Sequence, residues 1–178
     1  DLVEVSDTDF KNVNTASIVI VFVLMLIVLK SFSLPVLLVA TIEFAIFINM
    51  GLPVITGETI PFVASIVIGT IQLGATIDYA ILMTNNYLEA RRTMGKTEAI
   101  KKTLDASTSS IFVSAMCFFA ATVGVAFYSK QAMISSLCGM MSRGSLISMA
   151  VVMLVLPSIL VIFDKVIIKT TKGKYYER

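Results

Sequence analysis

The sequence predicts an all-α, polytopic membrane protein: a bundle of five transmembrane helices. Three observations carry that expectation. Of the 178 residues, 57% are hydrophobic and only 15% charged, with mean hydropathy +0.91; soluble domains run near roughly 45–50% and 25%. The apolar residues gather into five runs, each close to or beyond the roughly 20 residues that a bilayer requires. Lys and Arg gather beside alternate ends of those runs, as the positive-inside rule demands of an odd number of spans.

Residues 1–14 are acidic, with Asp1, Glu4, Asp7 and Asp9 against Lys11, and read as the exit from a water-exposed region. The chain starts at Asp1 without a signal peptide and looks like a segment of something larger. The first span is 15–32, ending at Lys30 and Ser31. Pro35 opens the second, 35–52, whose only charge is Glu43. A turn at 53–59 carries Pro53 and Gly57. The third span, 60–88, is long enough to require tilt or projection. After Arg91, Arg92 and Gly95, residues 97–104 read as a short amphipathic surface helix with Lys101 and Lys102. The fourth span is 107–128, where small residues recur at Ser107, Ser110, Ser114, Cys117, Ala121 and Gly124. That seam lets helices pack closely, and is expected to face the helix of the third span. A loop at 129–137 leads to the fifth span, 139–163, with Arg143, Gly144, Ser148 and Pro157. The five-helix domain thus covers 15–167, and 168–178 is a basic tail. The basic 93–104 loop and the tail are expected in the cytoplasm, and the N-terminus outside.

The chain is organised around Gly74-Ala75-Thr76-Ile77-Asp78-Tyr79. An ionisable residue deep in a span is costly and is a functional-site hypothesis by default. Gly74, Asp78 and Asn85 share one helical stripe, since steps of four and seven return to the same face. Gly74 would let another helix approach at the level of the acid, so Asp78 is expected to point into a helix bundle rather than at lipid. Tyr79 is a plausible hydroxyl partner. Ser114, at mid-depth on the next span, could complete a relay. Glu43 is the other acid near a midplane. Arg143 lies close enough to a surface to snorkel. Gly74, Gly124 and Gly144 are expected to serve helix packing.

Several classes are excluded. The chain has no His, which removes His-based metal sites and Ser-His-Asp triads. Cys117 and Cys138 match no metal spacing and read as small apolar residues. An intramembrane aspartyl protease needs two deep aspartates, but Asp164 stands at a span edge. No phosphate loop is present. Neither an enzyme nor a bound metal or cofactor is expected.

The stretch Gly74-Ala-Thr-Ile-Asp78-Tyr79-Ala-Ile-Leu resembles the resistance–nodulation–division superfamily, and most closely its MMPL-type exporters. Asn86-Tyr87-Leu88-Glu89, Ser110-Ile-Phe-Val-Ser114, Ile42-Glu43-Phe44, Gly51-Leu-Pro53 and Val155-Leu-Pro157 look similar too. The resemblance covers essentially the whole chain. It implies half of such a transmembrane domain lacking its first helix, with the C-terminal half favoured by the wording around Gln72. It also implies protons as coupling ion, carried by Asp78 and Tyr79 with Ser114. The implied partners are the other transmembrane half, extracytoplasmic domains, membrane lipids and a lipid or hydrophobic substrate, in the plasma membrane. A second reading stays open: a non-transporting, lipid- or sterol-sensing-like module, which needs the packing but no titrating acid.

Overall fold

A computed structural model describes residues 2–57 and 62–171. Their elements are six helices: α1 (Leu2–Leu29), α2 (Ser33–Thr56), α3 (Phe62–Arg91), α4 (Lys96–Tyr128), α5 (Ala132–Ile162) and α6 (Asp164–Thr170). The first five are long and apolar enough to cross a membrane. Short connections make consecutive helices antiparallel. Helices α3 and α5 therefore run parallel, and they form the centre. Helix α2 packs on both from one side and α4 on both from the other, while α1 lies outside against α2 and α3. The core between them holds Leu38, Ile42, Leu73, Met83, Ile111 and Leu156. Large apolar side chains such as Ile20, Ile27, Phe47, Phe127 and Leu154 remain exposed on the bundle. In a lipid solvent such exposure carries no hydrophobic penalty.

The surface helix expected over 97–104 does not exist as a separate element. Helix α4 runs unbroken from Lys96, because Ala99, Thr103, Ser107, Ile111 and Ala115 form one buried stripe in steps of four. Gly95, in extended conformation, starts this helix. Residues 2–14 are likewise helical and continuous with the first span; the side chains of Glu4, Asp7 and Asp9 lie outside the described residues, as does Asp1. The loop expected at 129–137 shrinks to residues 129–131. Ser135 Oγ there donates to the Ala126 carbonyl across the turn.

Helix α2 continues through Pro53 and stops at Gly57, whose φ of 72° is left-handed and whose N–H donates to the Pro53 carbonyl. Proline has no N–H, so the Asn49 carbonyl one turn back loses its helical donor. The Arg143 Nη2 of α5 donates to that carbonyl at 3.3 Å. At the opposite end Lys30 adopts φ 48°, and Ser31 makes an isolated antiparallel bridge with Thr171 after α6. The expected tail is thus helical up to Thr170; residues 172–178, with Lys172, Lys174 and Arg178, lie outside the described residues.

Candidate functional site

Helix α3 has two chemically different sides. Gln72, Thr76, Ala80, Met83 and Tyr87 are buried, on the side of α3 whose Gln72 bonds α2 and α5 and whose Tyr87 bonds α6. Gly74, Asp78 and Asn85 are exposed. Asp78 lies two residues beyond Thr76, hence about 200° around the helix from that inward stripe. The acid therefore does not enter the bundle that this chain forms, as the sequence suggested; it stands on the bundle's outer face. There it lines a concavity of about 320 Å³ with Ala75, Tyr79, Leu82, Ser110, Ile111, Ser114 and Phe118. Asp78, Tyr79 and Ser114, from two helices, meet at that one place. A Cβ on Gly74 would find nothing within 4 Å, so no described segment uses the close approach that this glycine permits.

The inward side carries a directed chain of hydrogen bonds. Arg143 Nε donates to Asn49 Oδ1 at 3.1 Å. Asn49 Nδ2 donates to Gln72 Oε1 at 2.8 Å and to the Met140 carbonyl at 3.2 Å. Gln72 Nε2 donates to Ser148 Oγ at 3.0 Å and, more weakly, to the Gly144 carbonyl at 3.4 Å. Ser148 and Thr76 hydroxyls lie 2.8 Å apart, and Thr76 donates to the Gln72 carbonyl at 2.6 Å. Three helices are tied together by groups that would each be costly to leave unpaired in hydrocarbon. Arg143 is therefore drawn inward onto Asn49, and the simple snorkelling expected of it does not hold. Gly144 makes the chain possible: a Cβ there would stand 2.6 Å from Asn49 Nδ2 and 2.9 Å from Gln72 Oε1.

The remaining candidates divide. Asn85 shares the exposed stripe of Asp78 but does not line its concavity. Glu43 is half-buried, and its Oε1 has no partner among the described residues. The Asn49–Gln72 bond sets the register of antiparallel α2 and α3. Six residues on from it, Glu43 stands level with Asp78. The small-residue seam of α4 faces α3 only in part. Ser107 accepts from Asn86 Nδ2 at 2.8 Å, and Ser110 and Ser114 flank Asp78, but Cys117 and Ala121 are exposed. Gly124 would accept a Cβ without contact.

A second carboxylate, which the sequence placed at a span edge, accepts three hydrogen bonds. Asp164 Oδ1 accepts from Tyr87 Oη at 2.7 Å and from Arg91 Nε at 2.9 Å, and Oδ2 accepts from Arg91 Nη2 at 2.9 Å. Arg91 Nη1 also donates to the Met94 carbonyl. Burial alone would raise the Asp164 pKa, but the Arg91 and Tyr87 hydrogen bonds and the Arg91 charge outweigh it and hold the carboxyl below its ordinary 3.8. Among the described residues no His, Cys, Asp or Glu cluster could hold a metal ion. Cys117 and Cys138 are free thiols.

The model of one protein family, described as the MMPL family, matches residues 1–175. The chain belongs to the MMPL family. No curated protein matches it. With five apolar membrane-length helices, this MMPL chain is a multi-pass membrane domain of transporter type. Within it, the sequence singled out Asp78, Tyr79 and Ser114, which the structure brings to one concavity, but not Asn49 or the Asp164 clamp. The available signal for the clamp was Tyr87 and Arg91, one turn apart at the end of α3. Two donors on one face at a span's end call for an acceptor.

Proposed function

We propose that this MMPL domain carries the proton-coupled step of an exporter of lipids or other hydrophobic compounds. Asp78 is the proton carrier, and the hydroxyls of Tyr79 and Ser114, which line the same concavity, complete the relay. One observation carries the reading: Asp78 stands with Gly74 and Asn85 on an exposed stripe of a bundle whose outer surface is otherwise largely apolar. An ionisable group facing lipid is costly and is retained for function. The stripe is then the face that meets the other transmembrane half, with Gly74 allowing close approach. Extracytoplasmic domains and membrane lipids complete the assembly. The Lys and Arg excess supports a cytoplasmic side for Lys101 and the C-terminal end, and the plasma membrane is the proposed location. Protons are the coupling ion, with no further cofactor and no enzymatic step.

The deciding experiment is Asp78→Asn in the full-length transporter. Asn keeps the size and the hydrogen-bonding capacity and loses only the titration. Insertion and expression should match the parent, while efflux across an imposed pH gradient falls to background. Normal efflux would refute the relay and leave the lipid-sensing module as the better account.

A further inference from the structure

Tyr79 borders two spaces. One is the concavity of Asp78. The other is a cavity of about 10 Å³ between α3, α4 and α5, with Gln72, Thr76, Ser145 and Ser148 in its wall. That is about the least volume that holds one water, which also needs two to four polar partners. Tyr79 is 8% exposed, and no described residue hydrogen-bonds its hydroxyl. Ser145 is 7% exposed. Its hydroxyl proton is committed to the Ala115 carbonyl at 2.9 Å, which leaves both oxygen lone pairs available. Ser148 and Thr76 already satisfy each other and Gln72.

Resting on the proton-relay reading above, we propose that Ser145 positions Tyr79 through one water held in this cavity. The water donates one hydrogen to Ser145 Oγ and the other to the phenol oxygen of Tyr79. The phenol oxygen, occupied on that side, turns its own proton toward the concavity of Asp78. Helix α5 thereby sets the orientation of a hydroxyl on α3 beside the acid of the proposed relay. A wire of protons through Gln72 and Asn49 is not implied, because side-chain amides there donate to fixed acceptors.

The test uses the full-length transporter and reads efflux rate against pH. Ser145→Ala and Ser145→Val remove the acceptor; Ser145→Thr keeps it. The expected result is a shift of at least about half a pH unit in the half-maximal point for Ala and Val. The rate should fall several-fold at unchanged substrate KM, with Thr close to the parent. A parental pH profile in Ser145→Ala overturns the inference. So does equal loss in Ala, Val and Thr with the pH dependence unmoved, which marks packing alone. Asp78→Asn, run alongside, separates the two claims. If it is inactive while Ser145→Ala behaves as the parent, the relay stands and the positioning role falls. If it exports normally, both fall.

Discussion

Helix α3 serves two aspartates, and they are opposites. Asp164, from α6, docks at its end, is 5% exposed and accepts three hydrogen bonds from Tyr87 and Arg91. Asp78, on the helix itself, is exposed and has no hydrogen-bond partner among the described residues. A bidentate guanidinium–carboxylate pair with a phenol is closed chemistry: both carboxylate oxygens have strong donors, and the geometry is fixed. A carboxylate held in a concavity beside three hydroxyl-bearing residues, Tyr79, Ser110 and Ser114, is open chemistry. The difference teaches that depth in the sequence does not sort structural acids from functional ones. Partnership does, and it is visible only once the helices are side by side.

The largest expected contrast is in stability. Asp164→Ala leaves the Arg91 guanidinium, 17% exposed, without its counter-charge and Tyr87 without an acceptor. Breaking a buried pair from one side costs about 3 kcal/mol or more. The thermal midpoint of the purified transporter in detergent should fall clearly. Asp78→Ala should change this domain's own stability by no more than about 0.5 kcal/mol, as for a surface substitution, while abolishing export. Equal destabilisation by the two variants would erase the distinction.

Two glycines sharpen the same contrast. Gly144→Ala drives a methyl into Asn49 and Gln72, and overpacking of this kind costs about 1–3 kcal/mol. Gly74→Ala meets open space and gains helix propensity, so this domain's own stability should hold or rise slightly. Its effect should appear in export instead. A Gly144→Ala variant as stable as the parent would show that the Arg143–Asn49–Gln72–Ser148 chain is not the tie it resembles.

A smaller effect tests the concavity. Ser114 lines it with Asp78, whereas Val113 is 56% exposed outside it. Both side chains are at the surface, so leucine at either should move stability by no more than about 0.5 kcal/mol. Efflux should drop with Ser114→Leu and persist with Val113→Leu. Equal efflux from both would remove Ser114 from the site.

What was legible in the sequence follows from how far apart the partners are. The five spans and the Gly74–Asp78–Asn85 stripe rest on local period, and the structure keeps that stripe exposed on one face; Asp78 and Tyr79, neighbours in sequence, line one concavity. The continuity of α4 was also local: the step-of-four run from Ala99 to Ala115 crosses the supposed break. Composition hid it, because the polar first turns and the apolar remainder read as two elements. Asp164 could not be placed, since its meaning comes from residues 77 and 73 positions earlier in the chain. The expectation that Asp78 points into the bundle failed for a related reason. Which side of α3 faces inward is decided by Gln72 and Thr76 finding Asn49 and Ser148, and no spacing within α3 encodes that.

The last prediction concerns pH and is the smallest in the range where the transporter works. The folded-state pKa of Asp164 is lowered below its ordinary 3.8 despite burial, by its bonds to Arg91 and Tyr87. A lowered carboxylate pKa means that the unfolded chain takes up the proton first as pH falls. The stability that this carboxylate contributes is therefore complete above about 3.8. It declines only below that, until the depressed folded value is passed. The clamp should not contribute any slope to stability between about pH 5 and 8. Thermal midpoints of the parent and of Asp164→Asn, measured side by side, should run parallel through that window and converge below about pH 4. The Asn variant lacks the titration, so the converging difference isolates Asp164 from every other carboxylate that protonates there. Midpoints that already converge between pH 7 and 5 would mean that the bonds to Arg91 and Tyr87 do not hold the Asp164 carboxyl down, and the division of labour along α3 would have to be redrawn.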